Sequence, residues 1–239
     1  MTSVVLLHPL GSDRSFYDPV VRELSDVPCE GWDLPGHGQA PMLPEGSGLA
    51  DFADAVAARL LSSAAPPVIV GLSLGGLVAL QLAIDHADLV AGIVVADAVP
   101  VYPPAMVDMW RERVAIARSE GLGGLIDPTT ELWFTAELRA SGDPRLEQMR
   151  STFAATDPEG YARACEVLAT ADVTDSVQQI TVPATFACGV DDAPPFVEGA
   201  QSMHSAVENS RLVWIDDARH ASALEQPKQF ADIVRDALG

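Results

Sequence analysis

The sequence predicts an α/β protein whose core is a mostly parallel sheet of about six strands flanked by helices. Short β-branched runs alternate with amphipathic helical patterns, and this alternation favours parallel strands joined by right-handed crossovers. The predicted strands are Val4–His8, Cys29–Leu34, Pro67–Gly71, Gly92–Ala96, Val182–Gly189 and Arg211–Ile215. The predicted core helices are Phe16–Leu24, Leu49–Leu61, Leu74–Asp85, Phe196–Val207 and Pro227–Leu238.

One long stretch interrupts this alternation. Between Val101 and Gln179 the sequence shows helical segments separated by turn signals, without a convincing strand pattern. We expect residues 101–179 to form a helical lid inserted in an α/β core of residues 1–100 and 180–239. Such a lid would cover the carboxyl ends of the strands, where open α/β sheets bind ligands.

The net charge and the cysteine content of the chain indicate which classes of binding partner and which compartment to expect. A formal net charge of −20 over 239 residues repels nucleic acids and anionic membranes, so we expect neither as a partner. The three cysteines, Cys29, Cys165 and Cys188, have irregular spacing, which favours a reducing compartment over a disulfide framework. The start of the chain lacks the pattern of a signal peptide. We therefore expect a cytoplasmic monomer or homodimer that acts on a small molecule.

A strand–turn–helix motif carries the candidate nucleophile. The segment Gly71-Leu72-Ser73-Leu74-Gly75-Gly76 follows an apolar strand pattern and precedes a helical one. Glycines on both sides of the serine permit the strained turn of a nucleophile elbow, which exposes a hydroxyl at the head of a helix. Ser73 is thus the predicted nucleophile, and the backbone N–H of Leu74 is a predicted oxyanion donor.

A serine nucleophile requires a base and an acid that orients the base. His220 lies between the last strand and the last helix and is the best-placed base. Asp192, which follows the penultimate strand, is the favoured acid, while Asp191 and Asp97 remain alternatives. The order Ser73, Asp192, His220 is the one expected of a triad built on such a sheet.

Two other histidines lie in turns after strands. His37 is expected to hold its own loop by hydrogen bonds, and His8 to brace the loop in which the N–H of Leu10 is the second predicted oxyanion donor. The sequence has no cluster with metal-ligand spacing and no glycine-rich phosphate motif. We therefore expect no metal and no cofactor.

Longer segments resemble a known group of proteins. They are Pro9–Asp13, Asp33 with Gly36–Gly38, Leu132–Thr135, Ala155–Tyr161 and Ala171–Ser176. Over nearly its whole length the chain resembles the α/β-hydrolase superfamily, and within it the 3-oxoadipate enol-lactonase-like hydrolases. The resemblance implies an α/β-hydrolase fold in which Trp133 lines the pocket from the lid. An ordinary aromatic of the lid core would fit the same sequence.

Two features depart from the pattern of that group. The chain begins directly at the strand before the oxyanion loop, without the antiparallel hairpin that usually opens the fold. In addition, Pro35 stands where the lactonase-like sequences usually carry an arginine. The replacement removes a cation near the site and weakens the expectation of a dicarboxylate-like substrate.

These observations predict a serine hydrolase that cleaves a carboxylic ester or lactone through an acyl-enzyme. Hydrolysis of C–C bonds and perhydrolysis are alternatives, because the same triad supports them. A non-catalytic ligand-binding protein of the same fold is a third possibility.

Overall fold

The computed structural model describes residues 2–239 and has a six-stranded sheet at its centre. Every neighbouring pair of strands in this sheet is parallel, and their order is β2-β1-β3-β4-β5-β6. In chain order the strands are β1 (Val4–Leu7), β2 (Cys29–Trp32), β3 (Val68–Leu72), β4 (Gly92–Ala96), β5 (Ala184–Gly189) and β6 (Ser210–Ile215).

Helices connect the strands and fill the long gap between β4 and β5. They are α1 (Asp18–Glu23), α2 (Leu49–Leu60), α3 (Leu74–Asp85), α4 (Pro104–Glu120), α5 (Ile126–Trp133), α6 (Ala136–Ala140), α7 (Pro144–Ala155), α8 (Pro158–Thr170), α9 (Pro194–Ala206), α10 (Ser222–Glu225) and α11 (Pro227–Leu238). Helices α4 to α8 occupy the stretch where the sequence predicts a lid. Within residues 2–239, no helix is both long enough and apolar enough to cross a bilayer.

The predicted fold class is confirmed, and the element ends differ from prediction by small, explicable amounts. Strand β5 begins after Pro183, which has no N–H to donate to a ladder, although its carbonyl still accepts a bond from Ile93. The predicted helix Phe16–Leu24 is a 3₁₀ turn over Arg14–Tyr17 followed by α1. Pro19 lies in the first turn of α1, where a missing N–H costs nothing.

The burial pattern explains why the strand runs are apolar without alternation. Strands β1, β3, β4 and β5 are buried at every residue, because helices cover both faces of the sheet. The edge strands β2 and β6 are partly exposed. The carboxyl ends of the central strands therefore meet at one edge of a dry core, where β3 passes into α3.

Two glycines allow an unusually close approach of backbones at the β3–α3 turn. A Cβ atom on Gly75 would overlap the carbonyl oxygen of Leu7 at the end of β1, and one on Gly71 would overlap the carbonyl of Gly75. Backbone atoms cannot move aside as a flexible side chain can. The start of α3 is therefore held directly against β1 and β3.

We predict that Gly75→Ala destabilises the protein by about 1–3 kcal/mol or more, because overpacking against backbone forces the turn apart. Gly124→Ala is the matched control, since a Cβ there meets no atom within 4 Å. Urea unfolding followed by circular dichroism measures both variants. Equal unfolding free energies for the two would contradict the close-packing explanation.

Candidate active site

Ser73 lies in the turn between β3 and α3 in a backbone conformation that non-glycine residues rarely adopt. Its φ is 54° and its ψ is −112°, which typically costs about 1–3 kcal/mol. The Ser73 N–H donates to the carbonyl of Ala96 at 2.9 Å, and its carbonyl accepts from the N–H of Leu77 at 3.0 Å. These bonds tie the turn to β4 and to the first turn of α3, and the Ser73 side chain lines a narrow pocket.

His220 lines the same pocket and is bound to a buried carboxylate. Its Nδ1 lies 3.0 Å from Oδ2 of Asp192, and both side chains are almost completely buried. Asp192 Oδ1 accepts the N–H of Ala193 at 2.7 Å. Because Nδ1 faces Asp192, Nε2 is the ring nitrogen left for proton exchange with another group. The adjacent Asp191 is exposed.

The charge of Asp192 determines the titration of His220. Burial acts to lower the pKa of His220, but the charge of Asp192 and the hydrogen bond to it together raise that pKa above its ordinary value. The protonated imidazole is therefore stabilised inside the site. This is the electrostatic environment that a general base needs if it is to accept a proton during a reaction.

The loop that carries His220 is fixed by a second buried carboxylate. Oε2 of Glu225, on α10, accepts the N–H of Arg219 at 2.6 Å, while Oε1 accepts both the N–H and the hydroxyl of Thr135 at 2.8 Å. The N–H of Ala221 donates to the carbonyl of Trp133 at 3.0 Å. The His220 loop is thus anchored to the helical segment between β4 and β5 as well as to the core.

Asp97, the alternative acid, contacts other groups. Its Oδ1 accepts the N–H of Gly189 at 2.9 Å, and its Oδ2 accepts a short hydrogen bond from the Ser222 hydroxyl. Burial, reinforced by the charge of Asp192, raises the pKa of Asp97 to about 8. The raised pKa favours the protonated form of Asp97, and its hydrogen bonds support the end of β5 and the residues after His220.

One group of potential metal ligands exists among the described residues, and it comprises Asp97, Cys188 and Asp192, with ligand atoms within 4.8 Å of one another. Both carboxylates are already engaged by donors of the protein. Burial raises the pKa of the Cys188 thiol and so disfavours the thiolate that binds metals. These three side chains therefore fit a set of groups that are hydrogen-bonded to the surrounding protein better than they fit a metal centre.

His8 and His37 each contact a carbonyl of the loop that the sequence assigns to them, since His37 Nδ1 lies 3.1 Å from the carbonyl of Pro35, and each also binds a second loop. His8 Nε2 accepts the N–H of Leu34 at 2.9 Å, and its Nδ1 lies 2.8 Å from the carbonyl of Pro9. His37 Nε2 accepts the N–H of Gly11 at 3.1 Å, so His37 links its loop to the one that contains Leu10. Burial is the main cause that lowers the pKa of His8 to about 4 and of His37 to about 3, which keeps both rings neutral acceptors.

The backbone N–H groups of Leu10 and Leu74, the predicted oxyanion donors, are both buried beside the turn that carries Ser73. Both residues are buried, and within residues 2–239 neither N–H donates to a protein acceptor. Leu10 lines the pocket beside Ser73, and Leu74 is the first residue of α3, where helical N–H groups have no intrahelical partner. Their role as an oxyanion hole stays a prediction.

Trp133 combines the two alternatives that its sequence allows. It lines the pocket, with its ring centroid 5.9 Å from that of His220. It also packs edge-to-face against Phe16 of the core, with a centroid distance of 6.4 Å. Trp133 thus both borders the pocket and joins the helical segment to the core.

Three residues in or beside the pocket were not predicted from the sequence, namely Phe196, Tyr102 and Arg113. Phe196 packs at a tilt against His220, with a centroid distance of 4.2 Å and an interplanar angle of 50°. Tyr102 lies near Ser73 with its hydroxyl buried. Trp110 and Arg113 reach the pocket from α4. The signal for Arg113 was present, because a single arginine interrupts the apolar stripe that Trp110 and Ala117 form on one face of that helix.

Comparison with known proteins identifies the class that this fold and pocket define. The chain belongs to the alpha/beta hydrolase family, whose model matches residues 4–233. It is 28% identical to 3-oxoadipate enol-lactonase 1 of Acinetobacter baylyi, over 97% of this chain and 86% of the relative. It is 29% identical to a pimeloyl-[acyl-carrier protein] methyl ester esterase of Neisseria meningitidis, over 98% of this chain and 91% of that protein.

The solved structures agree with this assignment. The enol-lactonase from Burkholderia xenovorans LB400 superposes with a TM-score of 0.92 at 30% identity, over 100% of this chain and 92% of that one. A thermophilic esterase from Thermogutta terrifontis gives a TM-score of 0.91 at 26% identity, over 100% and 89% of the two chains. The predicted resemblance to enol-lactonase-like α/β-hydrolases is confirmed.

The buried Asp97 generates a prediction about stability and pH. Its pKa is raised in the folded protein, so the unfolded chain loses this proton first, and stability falls as pH rises between about 4 and 8. Replacing it by the neutral isostere in Asp97→Asn removes this dependence. The unfolding free energy of the variant relative to wild type should therefore increase by about 1.4 kcal/mol per pH unit between pH 5 and 7, and less steeply towards pH 8.

Urea unfolding at pH 5, 6, 7 and 8 measures this difference. Asp88→Asn is the control, because Asp88 lies on the surface and makes no side-chain hydrogen bond or ion pair among the described residues. A stability difference between Asp97→Asn and wild type that stays constant over this range would show that Asp97 is ionised in the folded protein.

Proposed function

We propose that this protein hydrolyses a carboxylic ester or lactone by nucleophilic catalysis, with Ser73 as nucleophile, His220 as base and Asp192 as the acid that orients the base. One observation carries the proposal. A serine in a strained turn at the head of α3 lines the same pocket as a histidine whose other nitrogen contacts a buried carboxylate. This arrangement has the requirements of an activated serine.

In the proposed acylation step, the Ser73 Oγ attacks the carbonyl carbon while its proton passes to Nε2 of His220. Asp192 stabilises the imidazolium that results. The N–H groups of Leu10 and Leu74 would bind the oxyanion, because they are buried donors without a protein acceptor. When the intermediate collapses, His220 returns the proton to the leaving oxygen. With a lactone, that oxygen remains attached to the acyl group.

Deacylation repeats these steps with water. His220 takes a proton from a water molecule that attacks the acyl-enzyme, and the proton is then delivered to Ser73 Oγ as the acid is released. We infer that α4 to α8 act as a lid over this chemistry. In support, Trp110, Leu132 and Trp133 of these helices line the pocket together with Ser73. A narrow apolar pocket strengthens the electrostatic interactions inside it.

An enol-lactone or a short ester is the proposed substrate, because the relatives include 3-oxoadipate enol-lactonases and methyl ester esterases that span nearly the whole chain. Ser73→Ala should lower kcat/KM for a p-nitrophenyl ester series and for an enol-lactone by about 10⁴-fold or more, since it removes the nucleophile. Spectrophotometric assays measure both reactions.

Ser119→Ala is the matched control, because Ser119 is exposed on α4 and bonds only within its helix. A serine-dependent preference for the lactone would support an enol-lactonase, and serine-dependent turnover of simple esters alone would support a carboxylesterase. Turnover that survives in Ser73→Ala would refute the proposed nucleophile.

The raised pKa of His220 determines the expected pH profile. A base must be unprotonated, so kcat/KM should fall as the pH drops, with a midpoint above the ordinary value of 6.5. Asp192→Asn removes the charge that raises this pKa. In that variant the midpoint should move to lower pH, and the maximum rate should drop on the order of 10³- to 10⁴-fold. A midpoint that Asp192→Asn leaves unmoved would show that another group is titrating.

A further inference from the structure

Arg113 is a buried cation in the pocket that Ser73 and His220 line. Its side chain projects from the buried face of α4, and the residue is only 7% exposed. Arginine is rarely buried unless it is paired, because burial removes the hydration of its charge. In a chain with a net charge of −20, the position of one buried arginine at the reaction site calls for a physical reason.

The protein satisfies one nitrogen of this side chain and leaves the others unpaired. Nη1 donates to Thr129 Oγ1 at 2.9 Å and to the hydroxyl of Tyr161 at 2.8 Å. Over residues 2–239, Nε and Nη2 donate to no protein atom, and no ion pair includes Arg113. The two hydrogen bonds of Nη1 thus fix the guanidinium group, and its Nε–Nη2 edge is left without a protein acceptor.

That edge is the one with which arginine binds a carboxylate side-on. Arg118, on the same helix, uses its Nε and Nη2 to bind the two oxygens of Glu159 at 2.9 and 3.0 Å. Such two-point contacts are strong and directional, because the fork of donors matches the planar carboxylate. Arg113 has the same edge available, but no carboxylate of the described residues occupies it.

A second unpaired donor lies beside Arg113. Trp110 lines the same pocket, and its buried indole N–H has no hydrogen-bond partner among the described residues. The Arg113 guanidinium carbon lies 5.6 Å from the centre of the Trp110 ring. Much of the remaining lining is apolar, including Met106, Leu132 and Phe153. The pocket therefore has donors in excess and needs an acceptor from its ligand.

We propose that Arg113 is a specificity-determining residue that binds a carboxylate on the acyl part of the substrate, with Trp110 as an accessory donor. The proposal rests on the proposed function, since it places the ester or lactone carbonyl at Ser73 and the carboxylate at α4.

A pair of substrates that differ in one terminal group tests the proposal. The p-nitrophenyl monoester of glutaric acid ends in a carboxylate, and p-nitrophenyl pentanoate ends in a methyl group. Wild type should favour the anionic ester in kcat/KM by at least about 10-fold. The substrate ratio is kcat/KM for the anionic ester divided by kcat/KM for the neutral ester, and in Arg113→Met it should fall by about 30-fold or more. A change of less than about 3-fold in this ratio would overturn the proposal.

Two further variants separate recognition from structure. Arg111→Met is the matched control, because Arg111 lies on the same helix with an exposed side chain, and its substrate ratio should equal that of wild type. Arg113→Lys keeps the charge without the two-nitrogen edge, so it should lower the ratio by less than Arg113→Met does. If Arg113→Met fails to fold, the test rests on Arg113→Lys. A ratio of anionic-ester to neutral-ester kcat/KM equal to that of wild type in Arg113→Lys would contradict the two-point contact.

A binding measurement distinguishes failure of this inference from failure of the proposed function. Calorimetric titration of the Ser73→Ala protein with glutarate should show binding that Arg113→Met, introduced in the same background, weakens by about 10-fold or more. This experiment requires no turnover. Glutarate binding that is equal with and without Arg113 would refute the carboxylate site, whatever the esterase assays show.

Discussion

Ser73 adopts a backbone conformation that a serine holds only under constraint, and the packing of β1, β3 and α3 supplies that constraint. Gly71 and Gly75 let the first turn of α3 lie against the ends of two strands, and bonds to Ala96 and Leu77 close the turn. The positions of the hydroxyl, of the Leu74 N–H and of the pocket all follow from this turn. A loosening of the turn would displace the Ser73 hydroxyl and the Leu74 N–H together.

Behind the pocket, two buried carboxylates lie close together but have different environments. Asp192 contacts His220 and stabilises its protonated form, whereas burial and the charge of Asp192 raise the pKa of Asp97. Two charged carboxylates at this distance would repel each other in a medium that screens poorly. Asp97 instead fixes the end of β5 and Ser222 by hydrogen bonds, which supports the residues that follow His220.

The helices between β4 and β5 provide side chains that line the pocket and contacts that hold the His220 loop. Glu225 joins the His220 loop to Thr135, and Trp133 packs between the pocket and the core, so the core and these helices position one another. The polar groups of Arg113 and Trp110 then reach a pocket whose reactive groups come from strand ends. In the proposed function, the core supplies the reacting groups and the inserted helices supply the groups that select the ligand.

The sequence alone determined the elements and their order, because strand and helix periodicities and the glycine-flanked Ser73 are local signals. It also indicated His220 and favoured Asp192, since both follow strands whose carboxyl ends must share one edge of a parallel sheet. Only the tertiary structure decided that Asp192 rather than Asp97 contacts His220, because both occupy strand ends and the choice depends on side-chain distances. The place of Arg113 was likewise decided in three dimensions, since the packing of α4 determines which face of that helix meets the pocket.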